Sequence, residues 1–376
     1  MPSVYLADFP EPDRIEGAPH PRETAHLFGH EAAQAEFLAS YTAGRLHHGW
    51  MITGPRGLGK ATLAWRLARF LLATPADDGG MFAPPPPTSL DIPDDHPVAR
   101  RLAALSEPRL YLLRRGLNDK DTQPSQEILV KEVRKLKEYF ALSAADGGRR
   151  VAIVDSADEL NTNAANALLK LLEEPPAGVT FFLIAHQPSA LLPTIRSRCR
   201  ELRLSALHPD EMAAALAQAG TKVADPQAMA ELAGGSVGEA IRIAQLDGLE
   251  LYGDLIGLFT ELPRMDRRKL LAIAEIGAGK GNEARFDLAV TLLDLALARL
   301  ARAGTLGQLP PEATPGEAAT IARLSPDPWA ARAWADLAQS LSARARRGKA
   351  VNLDPAALLM DMFLQIEQTA ATLAAR

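Results

Sequence analysis

Cysteine is almost absent from this chain: Cys199 is the only one. A lone thiol can close no internal disulfide and build no multi-cysteine zinc site. Long hydrophobic runs are missing too, and nothing approaches the roughly 20 apolar residues that a membrane-spanning helix needs. The opening stretch, MPSVYLADFPEPDRIEG, carries neither a basic segment nor an apolar one, so it does not read as a secretory leader. There is no basic excess either: 41 Lys and Arg stand against 46 Asp and Glu, a net charge of −5. No overall field draws in a polyanion, although a local basic surface is compatible with that balance. These absences lead us to expect a soluble, cytoplasmic protein that keeps no company with membranes. Of its 376 residues, 47% are hydrophobic and 23% charged. That is an ordinary globular balance at a length that suggests two or three domains.

Apolar spacing organises the chain. Ala33, Phe37 and Tyr41 recur every four residues and predict a helix over 29–43. Trp50–Thr53 is a short apolar run ending at glycines, which reads as a strand feeding a turn, and Leu63, Leu67, Phe70 and Leu71 mark the face of a following helix. Residues 74–98, with Gly79-Gly80 and four consecutive prolines from Pro84, read as a loop insertion. Further strands are expected at 110–113, 151–154, 181–185 and 201–204. Helices are expected at 126–142 and 159–174, the latter stopped by Pro175-Pro176. Strands alternating with helices predict a parallel sheet between helices over about 26–205. From Pro209 the strand signal ends and an Ala- and Leu-rich helical pattern runs nearly to Arg376, with Gly307–Pro315 as a long loop. The expected division is 1–205, an α/β domain; 206–248, a small helical domain; and 249–376, a larger helical one.

The chemistry begins at GPRGLGKAT, residues 54–62. Gly54, Gly57, Gly59 and Lys60 fit the phosphate-loop pattern, and the strand-turn-helix context is what such a loop requires: backbone N–H groups cradle phosphates at a helix N-terminus and the lysine reaches the outer ones. The next position should hold magnesium through a hydroxyl, but Ala61 stands there. Thr62 has a hydroxyl that points about 100° further around the helix. A second element is VAIVDSAD, residues 151–158. Phosphate-loop ATPases end such a strand in Asp-Glu, one residue for the metal and one for the attacking water. Asp155 is in place, Ser156 replaces the base, and Asp158 reads as the cap of the next helix. Two catalytic positions are therefore missing from independent segments, and hydrolysis in cis is not expected.

AIVDSADELNTNAANALLKLLEEPP (152–176), joined to PTIRSRC (193–199), resembles the clamp-loader branch of the AAA+ ATPases and, within it, the delta-prime subunits of bacterial DNA polymerase III. LFGHE (27–31), LHHGW (46–50) and, weakly, NLDP (352–355) are similar as well. The likeness is strong over about 25–205 and architectural beyond. It implies a RecA-like AAA+ P-loop domain, a helical lid domain and an all-α collar domain. The implied role is that of a stationary subunit of the DNA polymerase III clamp loader in DNA replication. Its partners would be gamma/tau and delta subunits, with the sliding clamp and primed DNA reached through the complex. The resemblance also implies that Arg198, in Ser197-Arg198-Cys199, is an arginine finger offered in trans to a neighbour's ATP, a task suited to a planar, permanently charged side chain with several donors.

The same resemblance exposes departures. Ala185-His186-Gln187 stand where a first nucleotide sensor is usual. Gly238, after Gly235-Ser236-Val237, stands where active members place a sensor arginine. Many delta-prime proteins carry a four-cysteine zinc module after the phosphate-loop helix; this chain has no cysteine there, so no metal is expected. No cofactor is required by this reading, although ATP or ADP could occupy the degenerate site formed by Gly54, Gly57, Gly59, Lys60, Thr62 and Asp155. The competing reading is an active gamma/tau-like motor, using Thr62 for magnesium and Asp158 or Glu159 for water; a DNA-binding adaptor outside replication is a third. Arg344–Arg347 with Lys349 reads as a solvated basic loop, and Cys199 as a small buried thiol beside a strand.

Overall fold

The computed structural model describes residues 11, 13–24, 26–74, 85–118, 125–142, 148–276, 279 and 281–375. The expected loop over 74–98 therefore lies partly outside the described residues, as does the glycine turn at 147. The chain divides into two compact units: one of residues 1–207 with 218–220 and 236–238, the other of 208–217, 221–235 and 239–376.

In the first unit the order is α1 (Glu31–Thr42), β1 (Gly49–Thr53), α2 (Lys60–Ala73), α3 (Pro97–Ala103), β2 (Leu110–Leu113), α4 (Val130–Leu142), β3 (Arg150–Asp155), α5 (Thr162–Glu173), β4 (Val179–Ala185), α6 (Pro193–Arg196) and β5 (Arg200–Arg203). The strands form one parallel sheet in the order β2-β3-β4-β1-β5. β1, β3 and β4 are buried along their whole length. Both of their faces are covered, which is why they read as continuous apolar runs rather than alternating ones. Successive side chains separate the two faces. Phe182 meets Phe37 of α1 on one side, with ring centroids 5.8 Å apart, and Phe181 meets Phe140 of α4 on the other, at 6.2 Å. This is the parallel sheet between helices that the patterning predicts.

Some local expectations are corrected. α4 starts at Val130 rather than 126 because residue 128 is claimed by another partner: the Ile128 N–H donates to Glu159 O (2.7 Å) and its carbonyl accepts from Asn161 N (3.2 Å). The same pairing holds 157–159 in a 3₁₀ turn, so α5 begins only at Thr162. Its cap is Asn161, whose side chain accepts the Ala164 N–H at 2.9 Å, and not Asp158. Helix α3 had no clear periodic signal, being seven residues long, but Pro97 at its first position and His96 accepting the Val98 N–H define its start.

The second unit is helical: α7 (Pro209–Gln218), α8 (Pro226–Ala233), α9 (Val237–Gln245), α10 (Gly248–Thr260), α11 (Arg267–Glu275), α12 (Glu283–Leu306), α13 (Glu317–Leu324), α14 (Pro328–Ala350) and α15 (Pro355–Ala374), apart from the few residues of α7 and α9 that group with the first unit. Among the described residues, no helix is long and apolar enough to cross a membrane. The basic run Arg344–Lys349 is not a loop: it lies within α14. Arg344 pairs with Asp361 of α15, and Lys349 with Asp287 of α12 at 2.6 Å. Gly348 lets Leu358 approach; a Cβ there would lie 2.6 Å from its Cδ2.

A buried ion pair organises this unit's core. Glu317 (0% exposed) accepts from Arg299 Nε at 2.7 Å, from Tyr252 Oη at 2.6 Å and from Ala313 N at 2.7 Å. Arg299 also donates to the Pro311 carbonyl, so the expected loop after Gly307 is tied onto α10, α12 and α13 by one charged centre. Removing one partner strands the other charge. Glu317→Ala should therefore lower the stability of this unit by roughly 3–5 kcal/mol, read by urea denaturation. Arg299→Met combined with Glu317→Leu should cost clearly less.

Candidate functional site

Parallel pairing decides what meets at the exit end of the strands. Thr53 stands opposite Ala185, and Asp155 opposite Ile184. The loop after β1, the Asp155-Ser156 step after β3 and His186 after β4 therefore gather at one edge of the sheet, where parallel α/β sheets place their ligands.

Within the loop Gly54, Gly57 and Gly59 all take positive φ, and α2 starts at Lys60. Lys60 is 3% exposed, and its ammonium donates to Gly54 O (2.7 Å) and Pro55 O (2.5 Å) of its own loop. Burial draws its pKa down to about 8, even though Asp158 and Asp155 favour the charge. Residues 236–238, which group with the first unit, close on the loop from outside: Ser236 Oγ donates to Arg56 O (2.9 Å), and Gly238 N to Gly57 O (3.0 Å). A Cβ on Gly238 would come within 2.8 Å of Gly57 Cα, so an arginine at this position would have to displace the loop backbone.

The acidic side is equally inward-facing. Asp155 is 6% exposed, and burial, reinforced by the charges of Asp13 and Glu159, raises its pKa to about 7. Ser156 is 2% exposed. Both carboxylates considered as substitutes for the missing base are engaged elsewhere. Asp158 accepts the His186 N–H at 3.0 Å, and Glu159 pairs with Arg115 at 3.0 Å and Arg56 at 3.8 Å. His186 has its pKa pulled down to about 4, first by burial and then by Lys60. It is a neutral imidazole, with Nδ1 buried and unbonded among the described residues. Thr62 lies two residues into α2 and is half-buried.

Asp13 belongs to this neighbourhood although sequence reading passed it over. It pairs with His20 at 3.3 Å and accepts the Trp65 indole N–H at 3.2 Å. Burial pushes its carboxyl up, but the hydrogen bond and charge of His20 bring it below the ordinary range. The irregular, Pro-rich segment around it has no period that could have signalled this.

Arg198 lies elsewhere. A Cβ on Gly49, the first residue of β1, would sit 3.1 Å from the Arg198 carbonyl and 3.2 Å from Cys199 Sγ. This is the entry end of the strand, about 13 Å of extended chain from Thr53. The Arg198 guanidinium is about one-third exposed; it pairs with Glu173 at 2.8 Å and donates to Thr194 O at 2.9 Å. Cys199 is a partly buried thiol before β5 whose pKa burial pushes up to about 12, which leaves it unreactive at neutral pH.

The family model described as "DNA polymerase III, delta subunit" matches residues 29–208. Over that span, just under half of the chain, the sequence is similar to this family. Relatives named DNA polymerase III subunit delta' include that of Pseudomonas aeruginosa, 37% identical over 166 residues (43% of this chain, 45% of the relative). That of Escherichia coli K12 is 32% identical over 248 residues (63% of this chain, 66% of the relative). The chain thus spans about half to two thirds of the length of these curated relatives. The gamma/tau subunit of Mycobacterium tuberculosis H37Rv is 31% identical over 207 residues, 53% of this chain and 31% of that one. Among solved structures, a gamma subunit-related protein of Thermotoga maritima aligns with 89% of this chain and 99% of its own at 18% identity and a TM-score of 0.38.

The raised pKa of Asp155 has a definite pH signature. The folded state holds this proton more tightly than the unfolded chain, so the stability it contributes is present below about pH 4 and is lost as pH rises toward 7. Asp155→Asn removes that slope. Its melting temperature should gain on wild type by several degrees between pH 4.5 and 7.5, read by calorimetry at both values.

Proposed function

We propose that this chain is a stationary, non-hydrolysing subunit of a DNA polymerase III clamp loader that supplies Arg198 in trans to the ATP site of an adjacent gamma/tau-type subunit. One observation carries the reading. The phosphate loop leaves β1 at its exit end, while Arg198 is packed against its entry end with its guanidinium turned to the C-terminus of α5. The length of β1 separates this arginine from its own loop, so in this reading the phosphate that it serves belongs to another chain. The sequence relatives named delta' and gamma/tau support the assembly.

The loop's own state supports the non-hydrolysing half of the reading. Lys60 is bonded to loop carbonyls, Ala61 offers no metal ligand, Ser156 cannot act as a base, and Asp158 and Glu159 already have partners. An active motor would have to break these contacts to assemble a water-activating group. We further propose that residues 206–248 act as the lid and 249–376 as the collar, with contacts to delta, sliding clamp and primed DNA made through the assembled loader, in the cytoplasm.

The purified chain with Mg-ATP should show no turnover above background, and Lys60→Ala should be indistinguishable from it. Turnover abolished by Lys60→Ala would overturn the stationary reading. In a loader reconstituted with its ATPase subunits, Arg198→Ala should lower ATPase kcat by at least tenfold, since trans arginines are worth about 10³ or more in related phosphoryl transfers.

A further inference from the structure

Arg198 stands on a short loop between α6 and β5, yet its surroundings are specific. The Arg198–Cys199 backbone lies against Gly49, where a Cβ would meet Arg198 O at 3.1 Å, Cys199 Sγ at 3.2 Å and Leu172 Cδ2 at 3.4 Å. His48 bonds the Leu172 carbonyl through Nε2 at 3.0 Å, tying the end of α5 to the start of β1. Glu173, the last residue of α5, meets Arg198 Nη2 at 2.8 Å, while Nη1 donates to Thr194 O.

We propose that Glu173 is a positioning residue for Arg198. It fixes the guanidinium at the end of α5, so that the donors not used by Glu173 and Thr194 face outward toward an incoming phosphate. This rests on the reading of Arg198 as a group acting in trans. Arginine on a flexible stem has much rotamer freedom to lose. One carboxylate on the end of a packed helix and one loop carbonyl hold two of its nitrogens, and the loss occurs at folding rather than in the reaction. Such pre-organisation acts on the rate of the chemical step, not on the neighbour's ground-state affinity for ATP. Both side chains are partly exposed, at 36% and 41%, so the pair is screened and its effect is modest.

The test is a double-mutant cycle in the reconstituted loader, with ATPase measured against ATP concentration for wild type, Glu173→Gln, Arg198→Ala and the double variant. Glu173→Gln should lower kcat by about two- to fivefold with KM unchanged, the factor expected of an exposed ion pair. On the Arg198→Ala background it should have no further effect. The proposal is wrong if Glu173→Gln leaves kcat unchanged, or lowers it by the same factor whether or not Arg198 is present. If Arg198→Ala leaves the rate unchanged, the reading of Arg198 fails and the proposal falls with it.

Discussion

The position of β1 between β4 and β5, with all three strands parallel, is the constraint on which the site depends. Five residue pairs join β1 to β4 and four join it to β5. A parallel strand must receive all its crossovers in one sense, so everything that follows β1 emerges at one edge and everything that precedes it enters at the other. The phosphate loop is committed to the first edge and Arg198 to the second. Separation of the two features that look nucleotide-directed follows from topology and not from their own chemistry.

Around the exit edge, groups that would serve a nucleotide are turned inward. Lys60 and Asp155 are both almost fully buried and both have pKa values displaced toward neutrality, Lys60 down and Asp155 up. A low-dielectric site with opposed charges costs least when the polar atoms find partners on the protein itself. Lys60 finds the Gly54 and Pro55 carbonyls, and Asp158 the His186 amide. The close approach of Gly57 and Gly238, which only glycines permit, belongs to the same closed arrangement. The entry edge differs: it carries a partly exposed arginine, paired with Glu173, on a firmly packed base.

The helical unit solves a different problem with similar means. Its Ala- and Leu-rich helices supply bulk but little specificity, since such surfaces slide past one another. The Arg299–Glu317 centre, with Tyr252 and the backbone of 311–313, gives the packing one polar register. Trp334, fully buried with its indole N–H bonded to Leu324 O at 2.8 Å, supplies another such point.

The amino-acid sequence determined by itself the five strands, the glycine-built turn before Lys60, and the absence of a hydroxyl at Ala61 and of a carboxylate at Ser156. These depend on local periodicity and residue identity, which are printed in the chain. It located element starts less well, because Ile128 and Asn161 choose their hydrogen-bond partners across the fold. It also misassigned Asp158 to a helix cap and Arg344–Lys349 to a loop, since a short polar or basic run reads the same in either setting. The partners of Lys60, the entry of Asp13 into the field of Asp155, the contact between Gly57 and Gly238 and the pairing of Glu173 with Arg198 were decided by tertiary structure alone. Each joins residues whose spacing along the chain carries no signal, brought together by strand order and buried where an unpaired charge is too costly to persist.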